Sequence, residues 1–208
     1  MAQPSQRLSM LRSYTLADIF TLANASCGTI SIFLCLGFIA DEKSGELLAA
    51  FILPVFALIF DALDGKIARL DKTRQSLLGA DLDSLADIVS FGVAPAVLGY
   101  TLGLRGFWDV LCLTYFVCCG ISRLARFNVT SAALTNSSTG KVRFFEGTPI
   151  PTSIVLVLLL AVAYSIGHTG PRFWFGDWTF LNRHFHPFVL LFFASGSLMI
   201  STIKVPKP

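Results

Sequence analysis

Apolar residues run along this chain in long unbroken blocks, without the alternation of a half-buried strand. Six blocks stand out, at about 18–40, 48–69, 79–100, 107–128, 149–167 and 186–203. Crossing roughly 30 Å of hydrocarbon takes about 20 apolar residues in a helix, so each block predicts one transmembrane helix. The same pattern argues against a barrel, whose strands alternate over about ten residues. The first block exceeds the roughly 7–15 residues of a signal h-region and lacks a convincing small-residue cleavage site, so it is expected to remain in the membrane. Ahead of it, residues 5–17 mix Arg7 and Arg12 with Leu8, Met10, Leu11 and Leu16, which suits a short amphipathic helix in the headgroup region. The predicted fold is therefore all-α and integral to the membrane, with six transmembrane helices and a juxtamembrane amphipathic helix in a single domain over 1–208.

Composition agrees: the 208 residues are 54% hydrophobic and only 14% charged, with a mean hydropathy of +0.68, against roughly 25% charged in an ordinary soluble domain. Cations sort by side. Arg7, Arg12, Lys66, Arg69, Lys72, Arg74, Arg123, Arg126, Lys141, Arg143, Lys204 and Lys207 fall on one face, and only Lys43, Arg105, Arg172 and Arg183 on the other. This bias places both termini in the cytoplasm. The net charge of +3 reads as topology and attraction to anionic membrane lipids, not nucleic-acid binding. Cys27, Cys35, Cys112, Cys118 and Cys119 all lie in apolar blocks without metal-ligand spacing and read as small core residues. The Asn-x-Ser/Thr sites at Asn24, Asn128 and Asn136 fall in the membrane or on the cytoplasmic side, where glycosylation is not expected.

The short basic loop 70–78 makes the second and third spans antiparallel neighbours. In the external loop 168–185, Trp174, Phe175, Trp178 and Phe180 read as interfacial anchors. His184 and His186 lie there too, but without a third ligand the pair reads as structural.

Acidic residues carry the chemistry. A charge inside a span costs roughly 2.5–3.5 kcal/mol on insertion scales and is a functional-site hypothesis by default. Four occur together. Asp61 and Asp64 are three apart and Asp83 and Asp87 four apart, so each pair shares a helical face. Both pairs fall at the cytoplasmic ends of the second and third spans, which makes a four-carboxylate cup the natural geometry. Like charges this close need a counter-charge in a low-dielectric site. Oxygen-only ligands favour Mg²⁺ or Mn²⁺ over zinc, and two such ions commonly clamp a phosphate undergoing displacement. Asp71 and Asp81 read as solvated or capping. Gly65, Ala68 and Gly79 allow close helix packing and leave room for a bulky nucleotide beside the cup, with Arg69 placed to pair with a phosphate.

Read together, Asp61-x-x-Asp64-Gly65-x-x-Ala68-Arg69 and Gly79-x-x-x-Asp83-x-x-x-Asp87 resemble the signature of the CDP-alcohol phosphotransferase family. The spacer from Arg69 to Gly79 is slightly longer than is commonest there, which reads as a loop variation. The segments Leu85–Pro95, Gly120–Asn128 and Phe145–Pro151 resemble members that use CDP-diacylglycerol and L-serine. Lys141 to Pro151 is most similar to eukaryotic, fungal members, which implies the endoplasmic reticulum membrane, with a bacterial inner membrane as the alternative. The resemblance further implies a homodimer.

For the site, it implies that CDP-diacylglycerol binds with its pyrophosphate on the metal ions beside Gly65, Ala68, Arg69 and Gly79. Asp61, Asp64 and Asp83 would be metal ligands, and Asp87 both a ligand and the general base for the serine hydroxyl. The serine carboxylate needs a cation, and Arg123 and Arg126 lie three apart on one face at the end of the fourth span; either suits. Asn128, Glu146 and Asn24 are further candidates to line the cavity. Two alternatives stay open: the same chemistry on inositol or glycerol 3-phosphate, and an ion or substrate transporter. Against the latter, the acids sit at one side and no internal repeat is visible.

Overall fold

The computed structural model describes residues 15–41, 43–70, 77–135, 144–202 and 204–206. The expected amphipathic helix lies outside the described residues apart from its last three. Those begin helix α1 (Leu16–Asp41). Thr15 and Asp18 form its capping box: the Thr15 N–H donates to Asp18 Oδ2 at 2.6 Å and the Asp18 N–H faces Thr15 Oγ1 at 3.4 Å.

A two-residue connection leads to α2 (Ser44–Leu70), which carries Pro54 inside it. The third span is composite: α3 (Leu77–Asp87), a π-helical stretch Ile88–Val93, and α4 (Ala94–Leu102). Pro95 has no N–H to return to Phe91, and the Ala94 N–H reaches back five residues to the Val89 carbonyl, so the turn is widened there. Gly103, at φ +126°, ends the span, a conformation that costs little without a Cβ. Helix α5 (Phe107–Thr135) follows. After strand β1 (Phe144–Glu146), a 3₁₀ turn (Ile150–Ser153) opens α6 (Ile154–Ser165). A hairpin of β2 (Trp178–Phe180) and β3 (Arg183–Phe185) leads to a 3₁₀ turn (Pro187–Val189) and α7 (Leu190–Ile200). Leu181 and Asn182, both at positive φ, make the two-residue hairpin turn. Strand β4 (Lys204–Pro206) pairs antiparallel with β1, so the end of the chain lies beside the segment that precedes α6.

Among the described residues, four helices are long and apolar enough to cross a membrane: Leu16–Asp41, Ser44–Ile67, Gly79–Leu102 and Phe107–Val129. The last two apolar segments, Ile150–Ser165 and Pro187–Ile200, fall in the 10–17-residue range. At 1.5 Å per residue this is about 15–25 Å, short of roughly 30 Å of hydrocarbon. Their ends explain the difference from the expected spans. Prolines start both through 3₁₀ turns, Gly167 at φ +75° follows the first, and Ser201 turns extended after the second.

The core joins the later part of the third span to α5, α6 and α7 through Phe91, Leu98, Phe116, Ile150, Leu160, Phe188 and Phe192, and reaches α1 at Cys35 and α2 at Leu47. Small residues set the closest approaches: Gly196 lies against the Phe116 backbone, and Gly120 against Ile88 and Ile150. On the outer faces, Ser26, Thr29, Thr114 and Ser197 donate to carbonyls four residues back in their own helices, which satisfies their hydroxyls without a solvent partner.

Two further expectations change. Among the described residues, α2 and α3 make few close backbone approaches; α1 packs along α2 and also against α3, the π stretch and α4, while α2 touches the third span only lightly. A short loop fixes where two helices end, not which neighbour fills the groove between them. Trp174 is half-buried and packs on His168 and Phe188, while Phe175, Trp178 and Phe180 are exposed. Cys27, Cys35 and Cys119 are buried as expected, but Cys118 is exposed on the outward side of α5. The histidines are structural: His184 Nδ1 pairs with Asp177 at 2.7 Å, and His186 Nδ1 with the fully buried Asp109 at 2.6 Å.

Candidate active site

The sequence of α2 puts Asp61 and Asp64 one helical turn apart near its C-terminal end, and α3 does the same for Asp83 and Asp87. The fold brings these ends together. Carboxylate oxygens of Asp61, Asp83 and Asp87 all lie within 4.8 Å of one another. Asp64 stands beside this triplet and outside it, with Oδ2 accepting a 2.8 Å hydrogen bond from the Thr21 hydroxyl of α1. Asp64 and Asp87 are almost fully buried, at 5% and 7% exposure. Asp83 Oδ1 is buried with no hydrogen-bond partner, and an orphaned carboxylate oxygen is costly unless a cation meets it. Clustered hard oxygens with one left unpaired fit a divalent cation of the Mg²⁺ or Mn²⁺ type.

Helix α1 closes one wall. Thr21 reaches Asp64, and Asn24 Nδ2 donates to Asp87 Oδ1 at 3.1 Å. Asn24 is itself held from behind: the Ser90 hydroxyl, in the π stretch one turn beyond Asp87, donates to its backbone carbonyl at 2.8 Å. The wide turn thus carries Ser90 onto α1. A Cβ at Gly28 would lie 2.5 Å from Ser90 Oγ and 2.7 Å from its Cα, so only glycine permits this approach.

Helix α5 closes the opposite wall and separates the two candidate arginines. Arg123 is partly buried, interacts electrostatically with Asp87 and has a buried Nε without a partner. Arg126 is exposed. Asn128 is engaged at both ends of its amide, accepting from Ser84 Oγ at 3.1 Å and donating to Asp81 Oδ1 at 3.2 Å. It fastens α5 to α3, and Asp81 is its exposed anchor.

Beside the carboxylates, Gly65 borders open space, since a Cβ there would meet nothing within 4 Å. Gly79 lies in the first turn of α3, half-buried. The side chains of Ala68, Arg69 and Glu146, and the whole of Asp71, lie outside the described residues. A separate cavity of about 440 Å³, among Phe38, Thr101, Arg105, Tyr164 and His186, shares no residue with the carboxylates.

The sequence alone marks Asn24 only as a lining candidate and Ser90 only as part of the Leu85–Pro95 segment, and gives Thr21 no role. The available signal was the run Asp18, Thr21, Asn24 at three-residue spacing within an apolar block, a polar stripe that a lipid-facing helix has no use for.

Several known proteins are similar to this chain. A CDP-diacylglycerol–serine O-phosphatidyltransferase of Saccharomyces cerevisiae is 45% identical over 203 residues, covering 96% of this chain and 73% of the relative. An archaetidylserine synthase of Methanothermobacter thermautotrophicus is 40% identical over 196 residues, covering 92% and 70%. A CDP-diacylglycerol–serine O-phosphatidyltransferase of Helicobacter pylori is 34% identical over 199 residues, covering 93% and 73%. No solved structure matches. Residues 14–197 match the CDP-alcohol phosphatidyltransferase model, and with the carboxylates of that signature gathered at one site, the chain belongs to the CDP-alcohol phosphatidyltransferase family.

Proposed function

We propose that this chain transfers the phosphatidyl group of CDP-diacylglycerol to the hydroxyl of L-serine, releasing CMP. The observation that carries the reading is the Asp61, Asp83 and Asp87 triplet, drawn from two helices to within 4.8 Å at the ends of apolar, membrane-length helices. The acceptor is named by analogy with the relatives, whose names specify serine.

Asp61, Asp64, Asp83 and Asp87 would hold Mg²⁺ or Mn²⁺, one ion or a pair, whose charge neutralises the pyrophosphate oxygens when bound. Gly65 and Gly79, with Ala68 and Arg69, flank the space for the nucleotide, and the acyl chains stay in the bilayer. Asp87 accepts the serine hydroxyl proton, the serine oxygen bonds to the phosphorus bearing the diacylglycerol, and the bond from that phosphorus to the CMP oxygen breaks. A serine hydroxyl is a poor nucleophile at neutral pH, so a placed base is what the protein must supply. Six spans, a cytoplasm-facing site, the endoplasmic reticulum membrane and a homodimer belong to the same proposal. Lys66, Arg123 and Arg126 at the carboxylate end support the orientation.

Purified protein given CDP-diacylglycerol, Mn²⁺ or Mg²⁺ and a panel of serine, inositol and glycerol 3-phosphate tests this directly. CMP release should depend on serine and on the metal. Release with serine no greater than with inositol or buffer would overturn the acceptor assignment.

For the serine carboxylate, Arg123 is the better-placed cation, being partly buried, beside Asp87 and with an Nε to offer. A charge-assisted hydrogen bond of about 1.5–3 kcal/mol corresponds to a loss of roughly 10–100-fold in kcat/KM for serine in Arg123→Gln. Arg126→Gln should change it by less than about threefold, as expected of an exposed charge. Equal effects of the two substitutions in serine titrations would remove the assignment.

A further inference from the structure

We infer that Thr21 and Asn24 of α1 are positioning residues for the carboxylate site, each fixing one oxygen of an aspartate on a different helix. The inference rests on reading the carboxylates as a cation site. Among the described residues, α2 and α3 hold the acids but make few close backbone approaches to each other, whereas α1 packs on both. Helix α1 therefore contributes to their relative placement, and the hydrogen bonds show where.

Thr21 is 3% exposed and Asn24 fully buried. The Thr21 hydroxyl has one proton and two acceptors in reach, the Ala17 carbonyl at 3.1 Å and Asp64 Oδ2 at 2.8 Å. The carboxylate is both nearer and charged, so it takes the proton. On the exposed side of the same helix, Thr29 bonds only the Ala25 carbonyl, the ordinary habit of threonine in a helix. Asn24 Nδ2 takes Asp87 Oδ1, and Ser90 locks the Asn24 backbone. One oxygen of each acid is thus held by α1, which fixes the rotation of the carboxylate and with it the place of its second oxygen. Hydrogen bonds behind metal-ligating carboxylates orient them, and their loss typically weakens metal binding about 10–100-fold.

The test is direct Mn²⁺ binding by electron paramagnetic resonance on the purified full chain, with CMP release measured in parallel. Thr21→Val, which keeps the shape and removes the hydroxyl, and Asn24→Leu should each weaken Mn²⁺ binding at least tenfold and raise the Mn²⁺ concentration for half-maximal CMP release to match. Thr21→Ser should restore binding to within about threefold of wild type, and Thr29→Val should leave it unchanged. If Thr21→Val and Asn24→Leu bind Mn²⁺ like wild type, or if Thr21→Ser is as weak as Thr21→Val, the hydroxyl and amide position nothing and the inference fails. A wild-type protein that binds no Mn²⁺ overturns the cation-site reading itself, and the positioning role with it.

Discussion

Asp87→Asn is expected to lower CMP release by about 10²–10⁴-fold, the usual contribution of a placed general base, while the protein still folds and still binds CDP-diacylglycerol. The geometry separates the two effects. Asn24 donates to Asp87 Oδ1, and the amide of D87N retains an acceptor oxygen that can occupy that place, so the α1 contact persists. The substitution removes the group that takes the serine proton. It also removes one of four like charges, which relieves repulsion within the cluster and gives no reason for the fold to weaken. Activity and binding should therefore part company: turnover falls with the first measurement, and CDP-diacylglycerol still raises the melting temperature in the second. Because Asp87 also belongs to the cation triplet, Mn²⁺ affinity should fall as well, and saturating Mn²⁺ should not restore the rate. Full rescue by excess Mn²⁺ would reduce Asp87 to a ligand and leave the base to be found elsewhere.

The acids were legible because apolar surroundings make a charge conspicuous. Asp61, Asp64, Asp83 and Asp87 stand in or at the ends of long apolar blocks, and their three- and four-residue spacing puts each pair on one face before any tertiary contact is known. Their supports were not legible in the same way. A threonine in an apolar helix bonds its own backbone by default, as Thr29 does, and Thr21 differs only because α2 brings Asp64 to it. Pro95 announces a missing N–H, but whether a helix answers by kinking or by widening depends on what packs against it; here the wide turn brings Ser90 to α1. Arg123 and Arg126 share a helix face in projection, and only the packing of α5 makes one partly buried beside Asp87 and leaves the other exposed. The ends of the last two apolar segments were overestimated because apolar composition continues past the hydrogen-bonded helix, through Gly167 in one case and Ser201 in the other.

Gly28 and Gly65 are both helical glycines, and the same substitution should move them in opposite directions. Replacing glycine by alanine inside a helix favours folding by about 0.8–1 kcal/mol from propensity alone. At Gly65 nothing opposes this, because the new Cβ would have no neighbour within 4 Å; Gly65→Ala should fold at least as well as wild type. At Gly28 the Cβ would stand 2.7 Å from Ser90 Cα and 3.0 Å from Ser90 N, backbone atoms that cannot step aside as a flexible side chain does. Restoring ordinary contact moves α1 and the π stretch apart by about 1 Å, and overpacking of this kind costs about 1–3 kcal/mol. The bond from Ser90 to the Asn24 carbonyl weakens as well, adding about 0.5–1.5 kcal/mol. With the propensity gain subtracted, a net loss near 2 kcal/mol corresponds to a melting midpoint lowered by about 4–8 °C. The effect on rate should be larger, since the displaced segment carries Asn24 on one side and follows Asp87 on the other. A misplacement of about 1 Å at reacting groups can cost on the order of 10²-fold, so Gly28→Ala should lose about that much CMP release even at temperatures where it is fully folded. Melting curves and CMP release on the two variants side by side decide the matter. If Gly28→Ala melts with wild type and keeps its activity, the close approach of α1 to Ser90 is not what holds Asp87 in place.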